Sequence, residues 1–125
     1  MEPTLYDGDL ITINSFDDYF EGDILVFIYK HGDLLVHRLL KKEKGTYFCK
    51  GDNSFRLEDI KKEQIVGRVS LVNGLKIESW TSEKIELSYR VNREFRARHY
   101  NIDETKKSEI YTKYKEVVFK DKINE

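Results

Sequence analysis

The chain has 125 residues, of which 36% are charged and 39% hydrophobic, and its formal net charge is −1. A chain of this length and composition fits a single soluble domain with its own core, and its near-neutral charge gives no reason to expect nucleic-acid binding. The single cysteine, Cys49, excludes an intramolecular disulfide bond. No apolar run approaches the ~20 residues that a membrane-spanning helix needs.

Short apolar or alternating segments, most of them bounded by turn residues, predict a chain made mainly of β-strands. Three of the segments follow Gly-Asp pairs, which favour turns because glycine adopts positive φ and aspartate binds nearby backbone. Asn73-Gly74 predicts a tight hairpin, and Gly67 inside a strand pattern predicts a bulge or a close backbone approach. The predicted strands are Leu10–Asn14, Ile24–Tyr29, Leu34–Leu40, Thr46–Lys50, Ile65–Val72 and Leu75–Trp80.

The composition changes after Trp80. Residues 81–125 carry eleven Lys and Arg against nine Asp and Glu, whereas residues 1–80 carry eleven against fourteen. The segment 85–100 fits either a strand or a helix, and we favour the helix; a second helix is predicted where apolar residues recur at Ile110, Tyr114, Val117 and Val118. The sequence therefore predicts a β domain over residues 1–80 and a helical extension over residues 81–125, packed on or beside it.

Four arginines form a local basic cluster in this extension: Arg90, Arg93, Arg96 and Arg98, next to His99. A solvated helix face accounts for such a cluster, and so does a surface that docks against anionic lipid or an acidic partner. Aromatic residues do not interleave with the arginines on a sheet, and no helix-turn-helix pattern is evident, so the sequence predicts no nucleic-acid partner.

His37 lies in the middle of an apolar strand pattern, Leu34–Leu40. Burial lowers the pKa of a histidine and a nearby carboxylate raises it, so the charge of such a ring can be tuned. Two interpretations stay open at this point, a core histidine bonded to a backbone carbonyl and a functional base. The histidines and Cys49 show no ligand spacing, so the sequence predicts no metal site and no cofactor.

Five short motifs occur in order along the first part of the chain. They are Met1-x-Pro3-Thr4-Leu5 with Gly8-Asp9, Gly22-Asp23-Ile24-Leu25-Val26-Phe27, Val36-His37-Arg38, Lys50-Gly51-Asp52-Asn53 and Ile65-Val66-Gly67-Arg68-Val69. Together they resemble signal peptidase I, a family that shares its fold with the self-cleaving repressors of the LexA type. The resemblance covers residues 1–72 and implies a mainly β fold of the signal-peptidase/LexA-like type, followed here by a short helical appendage.

In that superfamily the nucleophile is a serine immediately before the methionine of the first motif, which here is Met1. Thr4, Ser15 and Ser54 match no nucleophile position in the motifs. The resemblance thus implies a serine endopeptidase domain that, as given, lacks its nucleophile and is inactive. The alternative is a non-catalytic relative that binds extended peptides or a partner protein.

Val36-His37-Arg38 resembles the branch of the family that uses histidine as the base where other members use lysine. A serine hydroxyl needs a base within hydrogen-bond reach, and a carboxylate on the other ring nitrogen fixes the tautomer. The resemblance offers Asp52 and Asp59 as that carboxylate, with Glu58 beside the second. Asp52 alternatively closes a turn through its own side chain. Arg38 faces away from His37 along the strand, and we expect it to pair with a carboxylate such as Asp9 or Asp23 in a structural role.

The first residues of the chain are the ones that the resemblance places at the substrate groove: Met1, Glu2, Pro3 and Leu5. The expected substrate is an extended peptide or a secreted precursor, bound by strand addition. By resemblance the protein is associated with the bacterial cell membrane; if the chain is complete, it is expected in the cytoplasm.

Overall fold

The computed structural model describes residues 1, 4–54, 56–97, 112 and 114–119, with residues 92–97 described by their backbone. The chain divides into two compact units, Met1–Trp80 and Thr81–Glu125. Within the described part of the first unit, seven strands form one antiparallel sheet in the order β1-β6-β2-β3-β4-β5, with β7 paired to β6. They are β1 (Ile11–Asn14), β2 (Ile24–Ile28), β3 (Leu34–Glu43), β4 (Thr46–Lys50), β5 (Leu57–Ile60), β6 (Ile65–Val72) and β7 (Leu75–Lys76).

The prediction of a mainly β fold with a small helical part is confirmed. The structure adds one strand that the sequence pattern did not reveal, β5, whose four residues include two acids, Glu58 and Asp59. It also ends the last strand at Lys76 instead of Trp80. Charged residues obscure the alternation in β5, although its burial pattern alternates cleanly from Glu58 to Ile60.

The central strand β2 is covered on both faces, which explains its continuous apolar run. Leu25 and Phe27 belong to a core cluster with residues of β3, β4 and β5, whereas Ile24 and Val26 pack in a second cluster with Leu5. Because β3 pairs directly with β2, its residues alternate between the same two environments. Neighbouring residues of β3 therefore face different sides of the sheet.

Gly67 lies where β6 passes very close to β1, as its position in a strand pattern predicts. A Cβ atom there would lie 2.6 Å from Cγ2 of Ile13 and 2.7 Å from the carbonyl oxygen of Asn14. The β2–β6 register also shifts between Val26 and Phe27, next to this glycine. Both predicted features, the bulge and the close backbone approach, are present.

Two Gly-Asp turns have the same internal hydrogen bonds. Oδ2 of Asp9 accepts from the backbone N–H of Tyr6, and Oδ2 of Asp23 accepts from that of Phe20. Each aspartate also donates its own N–H to the carbonyl of the same aromatic residue. Both acids are thereby used to close turns at the starts of β1 and β2, so the expectation that one of them pairs with Arg38 is wrong.

The second unit contains α1 (Ser82–Ala97), which confirms the helix favoured for residues 85–100 as far as Ala97. The helix begins where the Thr81 hydroxyl accepts the N–H of Lys84 at 3.2 Å, an N-cap interaction. Residues 114–118 are also helical, and the predicted helix position Ile110 lies outside the described residues. In the part of the chain that the structure describes, no helix is long and apolar enough to cross a membrane.

Candidate active site around His37

His37 lies near the middle of β3, on the face that it shares with Leu39 and with its β2 neighbour Leu25. The ring of Phe27 approaches the imidazole edge-on, with ring centroids 6.1 Å apart. The His37 side chain keeps 21% of its surface exposed. The strand therefore holds the ring against the core while leaving one part of it accessible.

The ring is held by a carboxylate from β5. Nδ1 of His37 lies 3.0 Å from Oε2 of Glu58, whose side chain is 8% exposed. Glu58 reaches the ring because β5 pairs with β4, which in turn pairs with β3, and Cys49 lies opposite Glu58 in the register. A carboxylate at Nδ1 favours the tautomer with the proton on Nδ1 and leaves the lone pair of Nε2 available as a base.

The acids that the sequence offered for this role, Asp52 and Asp59, lie elsewhere. Asp59 follows Glu58 in β5, so strand alternation turns its side chain to the opposite, exposed side. Asp52 accepts two hydrogen bonds from Arg38, from Nε at 2.9 Å and from Nη2 at 3.0 Å. The prediction of Asp52 or Asp59 behind the ring is therefore corrected to Glu58, the residue next to one of them.

Arg38 and Asp52 form a bidentate ion pair on the other face of β3, and each side chain is 1% exposed. Nη1 of Arg38 donates to the carbonyl of Gly22, and the guanidinium carbon lies 3.9 Å from the ring centroid of Trp80. The Thr4 hydroxyl donates to Oδ2 of Asp52 at 2.5 Å. This network connects β3 to the first residues of the chain.

The segment between β4 and β5 contacts residues on both faces of β3. A Cβ atom on Gly51 would lie 3.2 Å from Nε2 of His37, so this glycine allows the backbone to pass directly beside the ring. One residue later, the backbone N–H of Asp52 donates to Sδ of Met1 at 3.3 Å. The start of the chain is thus held one residue from the backbone that borders Nε2.

The residues predicted to contact substrate have different surroundings in the structure. The Met1 side chain lies against Asp52, beside the His37 site. Leu5 is buried in the core with Ile24 and Val26, where it anchors this segment. Glu2 and Pro3 lie outside the described residues.

Comparison with known proteins identifies the family. A model of the Peptidase S24-like family matches residues 1–70, more than half of the chain. The chain belongs to the Peptidase S24-like family. The match includes every residue of the His37–Glu58 and Arg38–Asp52 pairs, and it supports a peptidase-like domain. No curated protein and no solved structure gives a significant match.

Other groups of this Peptidase S24-like chain are less suited to catalysis than the His37–Glu58 pair. Cys49 is fully buried in the core, and burial raises the pKa of its thiol, which disfavours the nucleophilic thiolate. Among the described residues, no group of three or more histidines, cysteines and acids could hold a metal ion. Within that same part of the chain, the His37–Glu58 pair is the arrangement best suited to acid–base chemistry.

Two residues of this Peptidase S24-like domain were not assigned roles from sequence. Motif spacing points to Asp59 and not to its neighbour Glu58, and strand periodicity in β5 is the signal that distinguishes them. Lys50 belongs to a recognised motif, yet its side chain is completely buried. Burial lowers the pKa of Lys50 to about 8, while Asp52 and Glu58 act in the opposite direction.

Proposed function

We propose that the domain supports a serine endopeptidase mechanism in which His37 is the base and Glu58 orients it. The observation that carries this proposal is the pair itself: Glu58 at Nδ1 at 3.0 Å, on a ring that is 21% exposed. Since the described residues provide no hydrogen bond to Nε2, that nitrogen is available for the proton of a reacting hydroxyl.

The proposed nucleophile is a serine immediately before Met1, where the superfamily that the sequence resembles places it. Two contacts support this position. Met1 is held by the N–H of Asp52, and Thr4 is held by the carboxylate of the same residue. Because Gly51 borders Nε2 of His37, a residue just before Met1 would enter the neighbourhood of the base.

The chemistry follows the Ser–His pattern. Nε2 of His37 takes the hydroxyl proton while the serine oxygen attacks the scissile carbonyl, and Glu58 stabilises the resulting imidazolium. The imidazolium then gives its proton to the leaving amine as the peptide bond breaks. Water, deprotonated by the same ring, hydrolyses the acyl-enzyme and regenerates serine and the free acid.

The proposed substrate is an extended peptide or precursor protein, in keeping with the family resemblance. Membrane-surface docking through the arginine cluster also remains a proposal. Arg90 is exposed on α1, and Arg93 and Arg96 lie on the same helix, whereas Arg98 lies outside the described residues.

The test uses the full chain with a serine placed before Met1, assayed against a library of extended peptides. We expect hydrolysis that is lost in His37→Ala and reduced on the order of 10⁴-fold in Glu58→Gln, as in other triads whose acid is changed. The matched controls are His31→Ala and Asp59→Asn, because both residues are exposed and neither contacts the site. A folded protein without turnover, or with turnover that survives His37→Ala, would contradict the mechanism.

A second candidate is a non-catalytic domain that binds extended peptides. It is favoured by the hydrogen bonds of two hydroxyl groups near the 50–54 segment: Thr4 donates to Asp52, and the Ser54 hydroxyl accepts the N–H of Arg56 at 3.1 Å. On this hypothesis the chain as given binds peptides from the same library without cleaving them, and His37→Ala leaves their affinity nearly unchanged. Isothermal titration against library members distinguishes the two candidates.

A further inference from the structure

Lys50 is a buried cation close to the proposed active site. Its side chain is 0% exposed, at the last position of β4 and directly opposite Arg38 in the β3–β4 register. Cross-strand partners point to the same side of a sheet, so Lys50 lies on the Arg38 face and not on the His37 face. The Lys50 side chain therefore leaves the strand on the side opposite to His37.

The Lys50 ammonium instead organises the turn that follows it. Nζ donates to the carbonyl oxygen of Ser54 at 2.5 Å and to that of Gly51 at 3.3 Å. The N–H of Ser54 donates to the same Gly51 carbonyl at 3.1 Å. One buried cation thus binds both ends of residues 51–54, which we call the 51–54 turn.

This turn carries the contacts that define the site. Gly51, at its first position, borders Nε2 of His37. Asp52, at its second position, holds Met1 through its N–H and Thr4 through its carboxylate. The relative position of the base and the start of the chain therefore depends on the shape of the 51–54 turn.

Stability alone does not account for a lysine here. A buried ammonium loses its hydration, and the depressed pKa of Lys50 shows that burial outweighs the favourable effects of Asp52 and Glu58. An apolar side chain of similar length, such as methionine, would fill the same space without that cost. What methionine cannot provide is a donor for two carbonyl groups at once.

We propose that Lys50 is a positioning residue, whose ammonium fixes the 51–54 turn so that His37 and the segment beginning at Met1 lie in register. This inference rests on the proposed function where it concerns catalysis. The geometric part is independent of catalysis, because it predicts where the Met1 and His37 side chains lie in this protein.

The first test uses nuclear magnetic resonance on the full chain without any assay of activity. The sequence has one methionine, so labelling its ε-methyl group gives a single signal that reports how Met1 is held. In Lys50→Met, labelled only at the native methionine by segmental ligation, we expect the Met1 methyl signal to move toward its unfolded position and the His37 ring signals to shift. Lys50→Arg, which keeps the charge and the donors, should restore part of both changes.

The matched control is Lys61→Met, because Lys61 is exposed and its Nζ donates to the Thr46 hydroxyl, away from the turn. It should leave the Met1 and His37 signals unchanged. If Lys50→Met folds and leaves them unchanged as well, the proposal is wrong.

A second measurement covers the case in which Lys50→Met does not fold. In the unchanged chain, raising the pH from 7 to 9.5 removes the ammonium proton, so the Ser54 carbonyl carbon and the His37 ring should shift together with the Lys50 side-chain carbon. The charged groups around Lys50 are Asp52 and Glu58, which favour its charged form, and Arg38, its cross-strand partner. A Lys50 titration without any response at Ser54 and His37 would overturn the proposal.

The catalytic consequence is measured in the chain with a serine before Met1. Lys50→Met should lower kcat at least about tenfold with KM changed less than twofold, since the turn positions reacting groups and not the substrate. Unchanged kcat in an active protein would refute the positioning role. If that protein is inactive while Lys50→Met still moves the Met1 signal, the mechanism fails and the positioning role stands.

Discussion

Each face of β3 carries one basic side chain in contact with a carboxylate, and the two contacts differ in geometry and in exposure. Arg38 and Asp52 make a bidentate pair with both side chains 1% exposed, and the pair also holds Gly22 and Thr4. His37 and Glu58 make a single contact of 3.0 Å, and the ring is 21% exposed. A bidentate pair that is fully enclosed suits a structural role, whereas an accessible imidazole suits proton transfer.

The difference also shows how one strand serves both purposes. Adjacent residues of a strand point to opposite faces, so His37 and Arg38 occupy different environments without any change in the backbone. The 51–54 turn then connects the two faces, with Gly51 against the ring and Asp52 against the guanidinium. Substitutions on the two sides should therefore have different consequences, and four predictions test this.

The largest expected effect comes from breaking the enclosed pair. Asp52→Ala leaves the Arg38 guanidinium buried without its partner, which should lower the free energy of unfolding by about 3–5 kcal/mol. Urea unfolding followed by the fluorescence of the single tryptophan, Trp80, measures it. The double variant Arg38→Leu/Asp52→Leu should recover most of the loss, since the buried guanidinium is then removed together with its carboxylate; equal losses in both proteins would contradict a charge-based explanation.

The buried Lys50 predicts a pH dependence with a definite sign. Its pKa is about 8 in the folded protein, against an ordinary value of 10.5, so between these values the unfolded state binds more protons. The free energy of unfolding contributed by this group therefore rises with pH, by at most about 3 kcal/mol across that window. Below pH 8 the full cost of burying the ammonium is present.

Other ionisable groups make the free energy of unfolding fall at alkaline pH, so the contribution of Lys50 must be measured as a difference between two proteins. Burial raises the pKa of the Cys49 thiol and of the Tyr29 and Tyr47 hydroxyls, and these shifts make stability fall at alkaline pH. The wild-type stability minus that of Lys50→Met should increase from pH 7.5 to pH 10. A difference that stays constant would show that burial does not depress the pKa of Lys50.

A smaller effect is expected from Thr4, which joins the enclosed pair to the start of the chain. Thr4→Val keeps the shape of the side chain and removes the donor to Asp52, so the free energy of unfolding should fall by about 1–2 kcal/mol. The Met1 methyl signal should move in the same variant, because Asp52 holds both residues. Loss of stability without any movement of Met1 would show that the two contacts are independent.

The smallest effect on stability is expected on the His37 face. Glu58→Gln keeps the shape and a hydrogen-bonding group, so the free energy of unfolding should change by about 1 kcal/mol or less, measured by the same urea unfolding. Asp59→Asn is the matched control on the exposed side of β5. If Glu58→Gln lowers the free energy of unfolding as much as Asp52→Ala does, the two pairs do not differ in their structural role.

Much of the sheet could be predicted from the sequence because its strands have apolar patterns and clear turn residues. The bulge at Gly67 and the turns at Asp9 and Asp23 follow from local chemistry. The partner of Arg38 could not be predicted, because it depends on how β3 and the 51–54 turn meet across the sheet.

The carboxylate that contacts His37 is a second residue that the sequence could not identify. The spacing of the motif residues favours Asp59, but only the alternation of β5 decides that Glu58 points to the ring. That strand was not recognised, because half of its four residues are charged. The motif spacing predicts that the acid lies near Asp59. Only the structure shows that the Glu58 side chain is the one that points toward His37.

The central claim is that Glu58 fixes the His37 ring with a proton on Nδ1 and leaves Nε2 as the base. Nitrogen-15 magnetic resonance of the imidazole, at a pH where the ring is neutral, tests it most directly. We expect the signal of a protonated Nδ1 and an unprotonated Nε2 in the wild type, with this tautomer preference reduced in Glu58→Gln and unchanged in Asp59→Asn. A ring protonated on Nε2, or one that does not respond to Glu58→Gln, would contradict the proposed role of the pair.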